Sequence, residues 1–582
     1  MKDIFKKGKN ASFLSGRLLS CMISGTILGL MDCLLFFTDN AVSGRFLGEA
    51  ALSGLTIMNP LTTFIIFVSV IIPLGTSSSI AYMQGEGNIN GANKQFSQGL
   101  VFSLVFGILL SVLIGLFGSV AIQLLPVSKE IAGYAGKYCI GLILMPFFQF
   151  LNIYLYYIYV SQGYTNICVI SSAVRLVLNI VLDFVLCSTW GTLGVGVATS
   201  VSYLASVLLR LIPLFRPKFS LRFSFCIDIK SLIKNAWNGL LLSADSISPV
   251  LFATIMNIIV IKFFQEKGYV VFSIILNIEN ICMSLYFCLS NAIQALICQY
   301  FVETNYVNIR RIMRYVAKYI VILSLIITGI SLIFSNSIPV IYGVKENIVE
   351  TAWAIRHYVP FVLFLGLSTL LSRYYVCIQY KLYGFGLLCF SSIILPVLCS
   401  TIGGKCFGMH GLWLGLGIGY IAAFFLNLVC TDLIKKKSNQ NLDPILLFNV
   451  EAEARQLIFN VKNTQEEIME CVYEIDKKLK SIEGFSVVRR NRITLMVEEN
   501  CMGILEKITN DVVNIEINII WTEQVQEPFS LIIRNDFITP DSTDPNIKIS
   551  SFRDYVLANM VVLSNDMYYL LKKEETTVAY KI

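Results

Sequence analysis

Residues 175–186 read Arg175-Leu-Val-Leu-Asn179-Ile-Val-Leu-Asp183-Phe-Val-Leu186, a base, an amide and an acid in an otherwise apolar run. Their spacing of four residues places the three polar side chains one above another on one face of a helix. A charged side chain in the hydrocarbon costs about 2.5–3.5 kcal/mol on insertion scales, so we expect this face to point away from lipid. The stretch predicts a membrane helix with a functional polar stripe.

The stretch lies in a chain of 582 residues that is 55% hydrophobic and 14% charged, with a mean hydropathy of +0.70. A soluble domain has about 25% charged residues, so the composition excludes a wholly soluble enzyme. A bilayer core needs about 20 apolar residues per helix, and segments of that length recur. They predict twelve transmembrane helices, at about 14–40, 50–82, 96–125, 131–160, 166–188, 191–215, 235–263, 269–298, 315–342, 353–380, 384–402 and 409–434.

Charge separates this membrane part from a soluble tail, residues 441–582. Residues 1–440 contain 30 Lys and Arg against 15 Asp and Glu, whereas the tail contains 15 against 23. With a cytoplasmic N-terminus, 20 Lys and Arg, Arg210 among them, fall in cytoplasmic loops and 8 in the opposite loops, which agrees with the positive-inside rule. The basic N-terminus has no cleavage site. We expect a multi-pass protein of the cell (plasma) membrane, in contact with the lipid bilayer, with both termini cytoplasmic and no nucleic-acid partner.

Two short strings recur along the membrane part. Val185-Leu-Cys-Ser-Thr189 returns as Val397-Leu-Cys-Ser-Thr401, and Gly85-Glu-Gly-Asn88 has a counterpart, at a similar offset, in Val302-Glu-Thr-Asn305. Similar offsets at helix ends predict two repeats of six helices, parallel to each other, with a cavity between them and rocking as the means of alternating access. The predicted fold class is an all-α polytopic membrane protein, with an N-terminal lobe (1–220), a C-terminal lobe (221–440) and a cytosolic α/β sandwich (441–582).

Five acidic residues within the predicted membrane helices are candidates for a functional role: Asp32, Asp39, Asp183, Asp245 and Glu279. An intramembrane carboxylate normally faces a water-filled interior and carries ions or protons, although each could instead be a buried group that only joins helices. Asp32 and Asp39 share one face of the first helix. When the two halves are aligned by the offset of either recurring string, no acid of the second half aligns with Asp39 or Asp183. A proton or sodium site is therefore expected in the N-terminal lobe.

Three motifs of the membrane part resemble those of a known family. The string from Asp39 to Gly48, Asp-Asn-Ala-Val-Ser-Gly-Arg-Phe-Leu-Gly, is similar to the end of the first helix in the multidrug and toxic compound extrusion (MATE) family. Residues 85–88 resemble that family's loop after its second helix. The stretch 175–186, followed by Gly191, Gly194, Gly196 and Ala198-Thr199, resembles its fifth and sixth helices.

The resemblance implies a secondary antiporter that exports organic, often cationic, amphipathic compounds in exchange for protons or sodium. By residue match, Asp39, Asn179 and Asp183 would form the cation- and proton-coupling site. Residues 372–379 contain no acid where several family members have one, which favours protons. The candidate residues of the substrate cavity are Thr199, Asn152, Asp32 and Tyr156.

The tail has its own pattern. Residues 443–449 form an apolar, strand-like run, 464–480 and 490–507 are typical of helices, and 513–521 and 529–534 alternate as strands do. The order resembles the histidine-kinase-like ATPase domain of anti-sigma-factor serine kinases, with Glu499 in the matching helix. Gly503 stands where that family has a magnesium-binding Asn, and 535–538 and 556–559 lack its glycines. Because a backbone needs glycines to approach phosphate, we expect a degenerate domain that binds a cytosolic regulatory protein.

Other chemistry is not indicated. The sixteen cysteines contain no CxxC pair, and there is no metal cluster, nucleophile triad or phosphate loop. We therefore predict no catalytic residue, metal or cofactor, and a protein that is not an enzyme. Two alternatives stay open. One is a flippase of lipid-linked sugars, for which a strongly cationic cavity is expected. The other is a membrane-anchored signalling protein with an ATP-binding tail.

Overall fold

The computed structural model describes most of the chain. The described residues are 13–47, 51, 55, 58–123, 129–215, 219, 221–224, 228–341, 348–438, 441–482, 485–507, 513–521, 530–535, 566–572 and 575–581. They form a large helical membrane part, followed by a small domain with a β-sheet.

The described residues of the N-terminal lobe form seven helices that have defined bounds. Pro60 and Pro146 lie in the first turns of two of them, where a missing N–H disturbs no helical hydrogen bond. The helix that ends at Gly141 and the helix that begins at Met145 are bent by 53° and together resemble one broken apolar span. The helices are α1 Phe13–Leu47, α2 Asn59–Gly85, α3 Ile89–Gln123, α4 Lys129–Gly141, α5 Met145–Ser161, α6 Thr165–Trp190 and α7 Thr192–Leu211.

The C-terminal lobe contains eight further helices among the described residues. Its helices are α8 Ile229–Leu242, α9 Ala244–Val302, α10 Tyr306–Ile333, α11 Ser337–Ile341, α12 Ile348–Tyr358, α13 Val362–Cys377, α14 Lys381–Cys389 and α15 Leu395–Lys437. A π-helical turn, Phe390–Ile394, joins α14 to α15. Helix α9 is assigned over 244–302 without a break, but the rings of Phe252 and Phe272 lie 6.4 Å apart. A straight helix would separate two residues 20 positions apart by about 30 Å. The chain therefore turns back between them, and the predicted boundary between spans at 263–269 falls in that interval.

Eight helices among the described residues are long and apolar enough to cross a membrane, or nine if the bent pair counts as one span. Two shorter apolar helices, Cys21–Met31 and Leu251–Phe264, lie within α1 and α9, and Lys381–Lys437 counts as one segment although the chain reverses at Gly408. The chain is thus a multi-pass membrane protein. The total of twelve spans stays a prediction.

Left-handed backbone positions support the internal repeat. The six residues of the described membrane part with positive φ pair across the lobes: Gly87 with Thr304, Gly163 with Gln379, and Gly191 with Gly408. The first and third pairs have the same offset, and the second is shorter by a single position. The π-helical turn 390–394 lies between the second and third pairs in the C-terminal lobe, and such a turn accommodates one extra residue. The turn therefore accounts for the increase of one residue in the offset between the second pair and the third.

The offset taken from the pentapeptide is wrong. A Cβ added to Gly194 would lie 2.1 Å from the carbonyl oxygen of Leu186, and one added to Gly411 would lie 2.2 Å from that of Gly403. Leu186 therefore corresponds to Gly403, at the same offset as Gly191 and Gly408, and the pentapeptide match is out of register. A composition rich in Val, Leu, Cys, Ser and Thr produces such matches by chance. With the corrected offset, Asp183 corresponds to Ser400, which is also not an acid.

The tail contains a five-stranded antiparallel sheet of order β1-β2-β3-β5-β4. The strands are β1 Gln456–Lys462, β2 Asn514–Ile520, β3 Ser530–Asn535, β4 Asp566–Lys572 and β5 Glu575–Lys581. After the short α16 Val450–Ala454, the helices α17 Gln465–Lys480 and α18 Val487–Lys507 cover one sheet face and form an apolar core with it. Gly503 lies in α18. Residues 536–538 and 556–559, which lack the glycines of the ATPase family, lie outside the described residues.

The segment before β1 attaches the tail to the C-terminal lobe. The prediction of a strand at 443–449 is wrong: the segment holds one isolated bridge, between Leu442 and Asn449, and a turn. The hydroxyls of Tyr374 and Tyr375 donate to the carbonyls of Leu446 (2.7 Å) and Ile445 (2.9 Å). The apolar side chains at 446–448 are buried in the core of the C-terminal lobe instead of in a sheet, a difference that an apolar run does not reveal.

Candidate functional site

Helix α6 turns its polar stripe inward. Asn179 and Asp183 are fully buried and Arg175 is 7% exposed, whereas Val177 and Val181, on the other faces, are 60% and 51% exposed. The exposed valines form an apolar face suited to lipid. The guanidinium of Arg175 lies 4.9 Å above the ring of Tyr203 in α7. The three residues singled out by their spacing therefore share a protein-facing side of one helix.

The other predicted coupling residues are only partly visible. Asp32 and Asp39 lie on α1, but their side chains fall outside the described part of the structure, as does that of Asp245 on α9. The neighbouring Thr38 donates its hydroxyl to the carbonyl of Leu35 at 2.9 Å. The placement of Asp39 relative to Asp183 therefore stays a prediction.

A cavity of about 410 Å³ lies between the two lobes. Its walls come from α1, α2 and α4–α7 on one side and from α9 on the other. Of the predicted cavity residues, Asn152, Tyr156 and Thr199 lie in the wall, together with Arg175. Further polar lining residues are Thr62, Tyr138, Gln149, Tyr157, Ser172, Tyr203, Arg210, Asn280, Ser284 and Asn291.

Arg210 was assigned above to a cytoplasmic loop, and this assignment is wrong. Its side chain is 2% exposed and donates to both oxygens of Asn152, at 2.6 and 2.7 Å, and to Ser171 and Ser172 at 2.8 and 3.0 Å. Its guanidinium also lies 5.5 Å from the ring centre of Tyr156. The signal for this position was available in the sequence, because polar residues at 202, 206 and 210 form a stripe along α7.

The lobes meet on one side of the cavity, which we call the tail side because the tail lies there. The side chain of Asn235 in α8 bonds to Ser79 and Gln95 of the N-terminal lobe, each at 2.6 Å. Close packing depends on Gly75, where an added Cβ would lie 1.9 Å from the carbonyl oxygen of Asn235. Gln294 of α9 donates to Ser78 at 2.6 Å. These contacts close the tail side.

The described wall of the cavity is cationic. Arg175 and Arg210 are its charged members, and no described lining residue is acidic. Aromatic and aliphatic side chains from both lobes supply most of the remaining surface, so the cavity suits an amphipathic molecule with polar groups.

The sequence profile of the MatE family matches residues 29–185 and 243–401, which is more than half of the chain. The chain belongs to the MatE family. The two matched segments fall in the two lobes, and the match ends before the tail. As a member of the MatE family the chain is a transporter and not an enzyme, with a small-molecule substrate and ion coupling across a membrane.

Solved structures show the same fold. A MATE protein in complex with MaL6 has 19% identity and a TM-score of 0.67, covering 72% of this chain and 95% of that one. An outward-facing multidrug resistance MATE family transporter of the MOP superfamily has 19% identity and a TM-score of 0.67, covering 72% and 94%. A MOP superfamily transporter from Pyrococcus furiosus, whose reverse polarity of the binding pocket suggests a different function, has 18% identity and a TM-score of 0.66, covering 72% and 94%. No curated protein sequence matches the chain.

The C-terminal lobe of this MatE protein buries the carboxylate of Glu279. Its two oxygens accept hydrogen bonds from Tyr358 at 2.8 Å and from Tyr420 at 2.9 Å. The group joins α9, α12 and α15, and a carboxylate satisfied in this way fits the structural alternative stated above. Within the described residues there is no group of His, Cys, Asp and Glu that could hold a metal.

Proposed function

We propose that this chain is a secondary active antiporter that exports organic, cationic amphipathic compounds in exchange for protons or sodium. The coupling site would comprise Asp39, Asn179 and Asp183, and the substrate cavity would include Thr199, Asn152, Asp32 and Tyr156. In this proposal the membrane is the plasma membrane, both termini are cytoplasmic, and the tail side is therefore the cytoplasmic side.

The observation that carries the proposal is the buried stripe on α6 beside the interlobe cavity. Arg175 reaches the cavity wall, and Asn179 and Asp183 follow it at one-turn intervals with no exposure. Buried polar groups normally have hydrogen-bond partners, yet the amide of Asn179 bonds to no residue that the structure describes. An ion or proton carried beside Asp183 would have polar neighbours there.

Alternating access requires the tail-side contacts to separate. Asn235, Gln294 and their partners are hydrogen-bonded side chains rather than a covalent or salt-bridged joint. Each such bond contributes only about 1 kcal/mol net, so a coupling ion or substrate could shift the balance between closed and open forms. Rocking of two parallel lobes provides the motion.

A second candidate, a flippase of lipid-linked sugars, is favoured by the charge of the cavity. Arg175 and Arg210 suit an anionic headgroup better than a cationic dye, and no described lining residue is acidic. The polar wall could hydrogen-bond sugar hydroxyls.

The tail, in the same proposal, is a degenerate ATPase-like module that regulates transport by binding a cytosolic protein. A fluorescent ATP analogue should therefore not bind the full-length protein. Saturable binding would instead favour the signalling alternative with an ATP-binding tail.

The test of antiport is collapse of a proton gradient in inverted vesicles on addition of cationic dyes, with and without sodium. The unmodified protein should collapse the gradient, and Asp39→Asn and Asp183→Asn should each abolish the response. Glu86→Gln is the matched control, because Glu86 is an exposed acid of the same lobe outside the cavity.

Two results would contradict the proposal. If Asp183→Asn responds like the control, the α6 stripe does not couple transport. If no dye collapses the gradient although the protein is inserted, and Arg210→Gln abolishes translocation of a lipid-linked sugar in the same vesicles, the flippase is the correct function.

A further inference from the structure

One face of α10 changes from cationic to apolar along its length. Arg311, Arg314 and Lys318 follow one another at intervals of three and four residues, and all three are exposed. Such spacing places them on one helix face. The same face continues with Ile322 and Leu325, which are 56% and 62% exposed. The helix therefore presents two cationic turns at its tail-side end and a lipid-facing aliphatic surface beyond them.

These cations have no acidic partner within the described residues. The adjacent Arg310 differs: it forms ion pairs with Glu453 at 2.7 Å and with Asp443 at 2.9 Å. Arg310 thus holds the tail, whereas the cations on the next turns pair with no acid in the part of the chain that the structure describes. Phosphate oxygens are strong acceptors for Arg and Lys.

The three cations converge on a cavity of about 470 Å³. Tyr315 lies between them, and the other walls are Leu14 of α1 and Asn460 of β1. The cavity is therefore bounded by both lobes and by the tail, at the tail-side end of α10. The positive-inside rule accounts for an excess of Lys and Arg on this side of the membrane. It does not account for three of them facing the same cavity.

We propose that this cavity binds one anionic phospholipid, with its phosphate headgroup at Arg311, Arg314 and Lys318 and its acyl chains along Ile322 and Leu325. Basic cavities beside membrane helices suit anionic headgroups, and each Lys or Arg near the surface strengthens their binding. A zwitterionic lipid would leave the surplus positive charge uncompensated. The aliphatic continuation of the same face favours a lipid over a soluble phosphate compound.

The test uses the full-length protein in lipid discs made of phosphatidylcholine with a minor fraction of phosphatidylglycerol. Native mass spectrometry then counts the lipids that stay bound after the disc is removed. We expect phosphatidylglycerol to be enriched about tenfold over its share of the disc. The enrichment should disappear in the triple variant Arg311→Gln, Arg314→Gln, Lys318→Gln.

The matched control removes the same charge elsewhere, with Lys94→Gln, Lys230→Gln and Lys234→Gln, all exposed and outside the cavity. It should keep the enrichment. Equal loss in both triple variants, or none in the first, would overturn the proposal. Displacement of phosphatidylglycerol by glycerol 3-phosphate would also overturn it, in favour of a soluble phosphate ligand. If the first variant does not fold, Lys318→Glu alone should lower the enrichment.

Discussion

The turns at 85–88 and 302–305, one in each lobe, have the same backbone and different surroundings. Their third residues both have left-handed φ, 79° at Gly87 and 55° at Thr304. In both, the side-chain oxygen of the fourth residue, an asparagine, accepts the backbone N–H three residues later, at 2.8 and 3.2 Å. The local sequence therefore builds the same turn twice.

The second residue of each turn shows the difference. Glu86 is exposed, whereas Glu303 is 7% exposed and forms an ion pair with Arg534 of β3. Arg534 also pairs with Glu516 at 3.1 Å, and Glu516 accepts a hydrogen bond from Asn308 at 3.1 Å. The glutamate of this turn is thus exposed in one lobe and part of the docking site of the tail in the other. The conformation of the turn is determined by its local sequence, whereas its role depends on a distant part of the chain.

The largest expected effect comes from removing the shared cation with Arg534→Gln. Two buried carboxylates would lose their positive partner, and breaking a buried pair costs about 3–5 kcal/mol. We expect undocking of the tail, measured as faster hydrogen exchange in peptides that cover 300–310 and 530–535. Unchanged exchange would show that the ion pairs do not hold the tail.

A smaller effect is expected for Glu303→Gln, because Arg534 keeps Glu516 as a partner. Loss of one charge-assisted hydrogen bond should destabilise docking by about 1.5–3 kcal/mol. Glu86→Gln makes the same change in the equivalent turn and should stay within about 0.5 kcal/mol. Thermal unfolding of both variants in detergent provides the comparison, and equal shifts would contradict the difference between the two turns.

The backbone equivalence can be tested by exchanging the third residues. Gly87→Thr puts a β-branched side chain at a left-handed position and should lower stability by about 1 kcal/mol. Thr304→Gly removes that strain but adds chain entropy, so its effect should be smaller and could have either sign. Melting temperatures give the answer. A shift for Thr304→Gly larger than that for Gly87→Thr would mean that side-chain contacts, not φ, decide the turn.

The smallest effect concerns pH. Burial raises the pKa of the Glu516 carboxyl above its usual 4.5, although Arg534 acts in the opposite direction. Between 4.5 and the raised pKa, the folded tail therefore binds more protons than the unfolded chain. The contribution of Glu516 to stability should be complete below pH 4.5 and fall as the pH rises through its folded pKa. Glu516→Gln should flatten this part of the curve, and an unchanged slope would assign it to other groups.

The sequence predicted those features that depend on neighbours along the chain. The spacing of Arg175, Asn179 and Asp183 was enough to place all three on one buried side of α6. The helices α17 and α18 and the strands β2 and β3 begin and end within three residues of the predicted positions. Periodicity and helix caps such as Thr464 are local signals.

Features that depend on distant partners were not predicted. The polar stripe at 202, 206 and 210 indicates the face of α7 on which Arg210 lies, but it does not indicate the partner Asn152, which is 58 residues away. The strand β1 was missed because 443–449 is the more apolar run, and its apolar side chains pack against the C-terminal lobe instead. The pairing of Glu303 with Arg534 has no counterpart in the first lobe, so the repeat could not indicate it.

The ion pair between Glu303 and Arg534 joins residues 231 positions apart in the chain. Synthesis at about 5–20 residues per second leaves Glu303 without this partner for roughly 10–45 s after it has been made. During that interval the C-terminal lobe must therefore stay in the membrane in a form that can still bind the tail. Its structure is complete only when the last strands have been synthesised. A chain that stops before residue 534 would display an uncompensated acidic turn, a chemical mark by which unfinished molecules differ from finished ones.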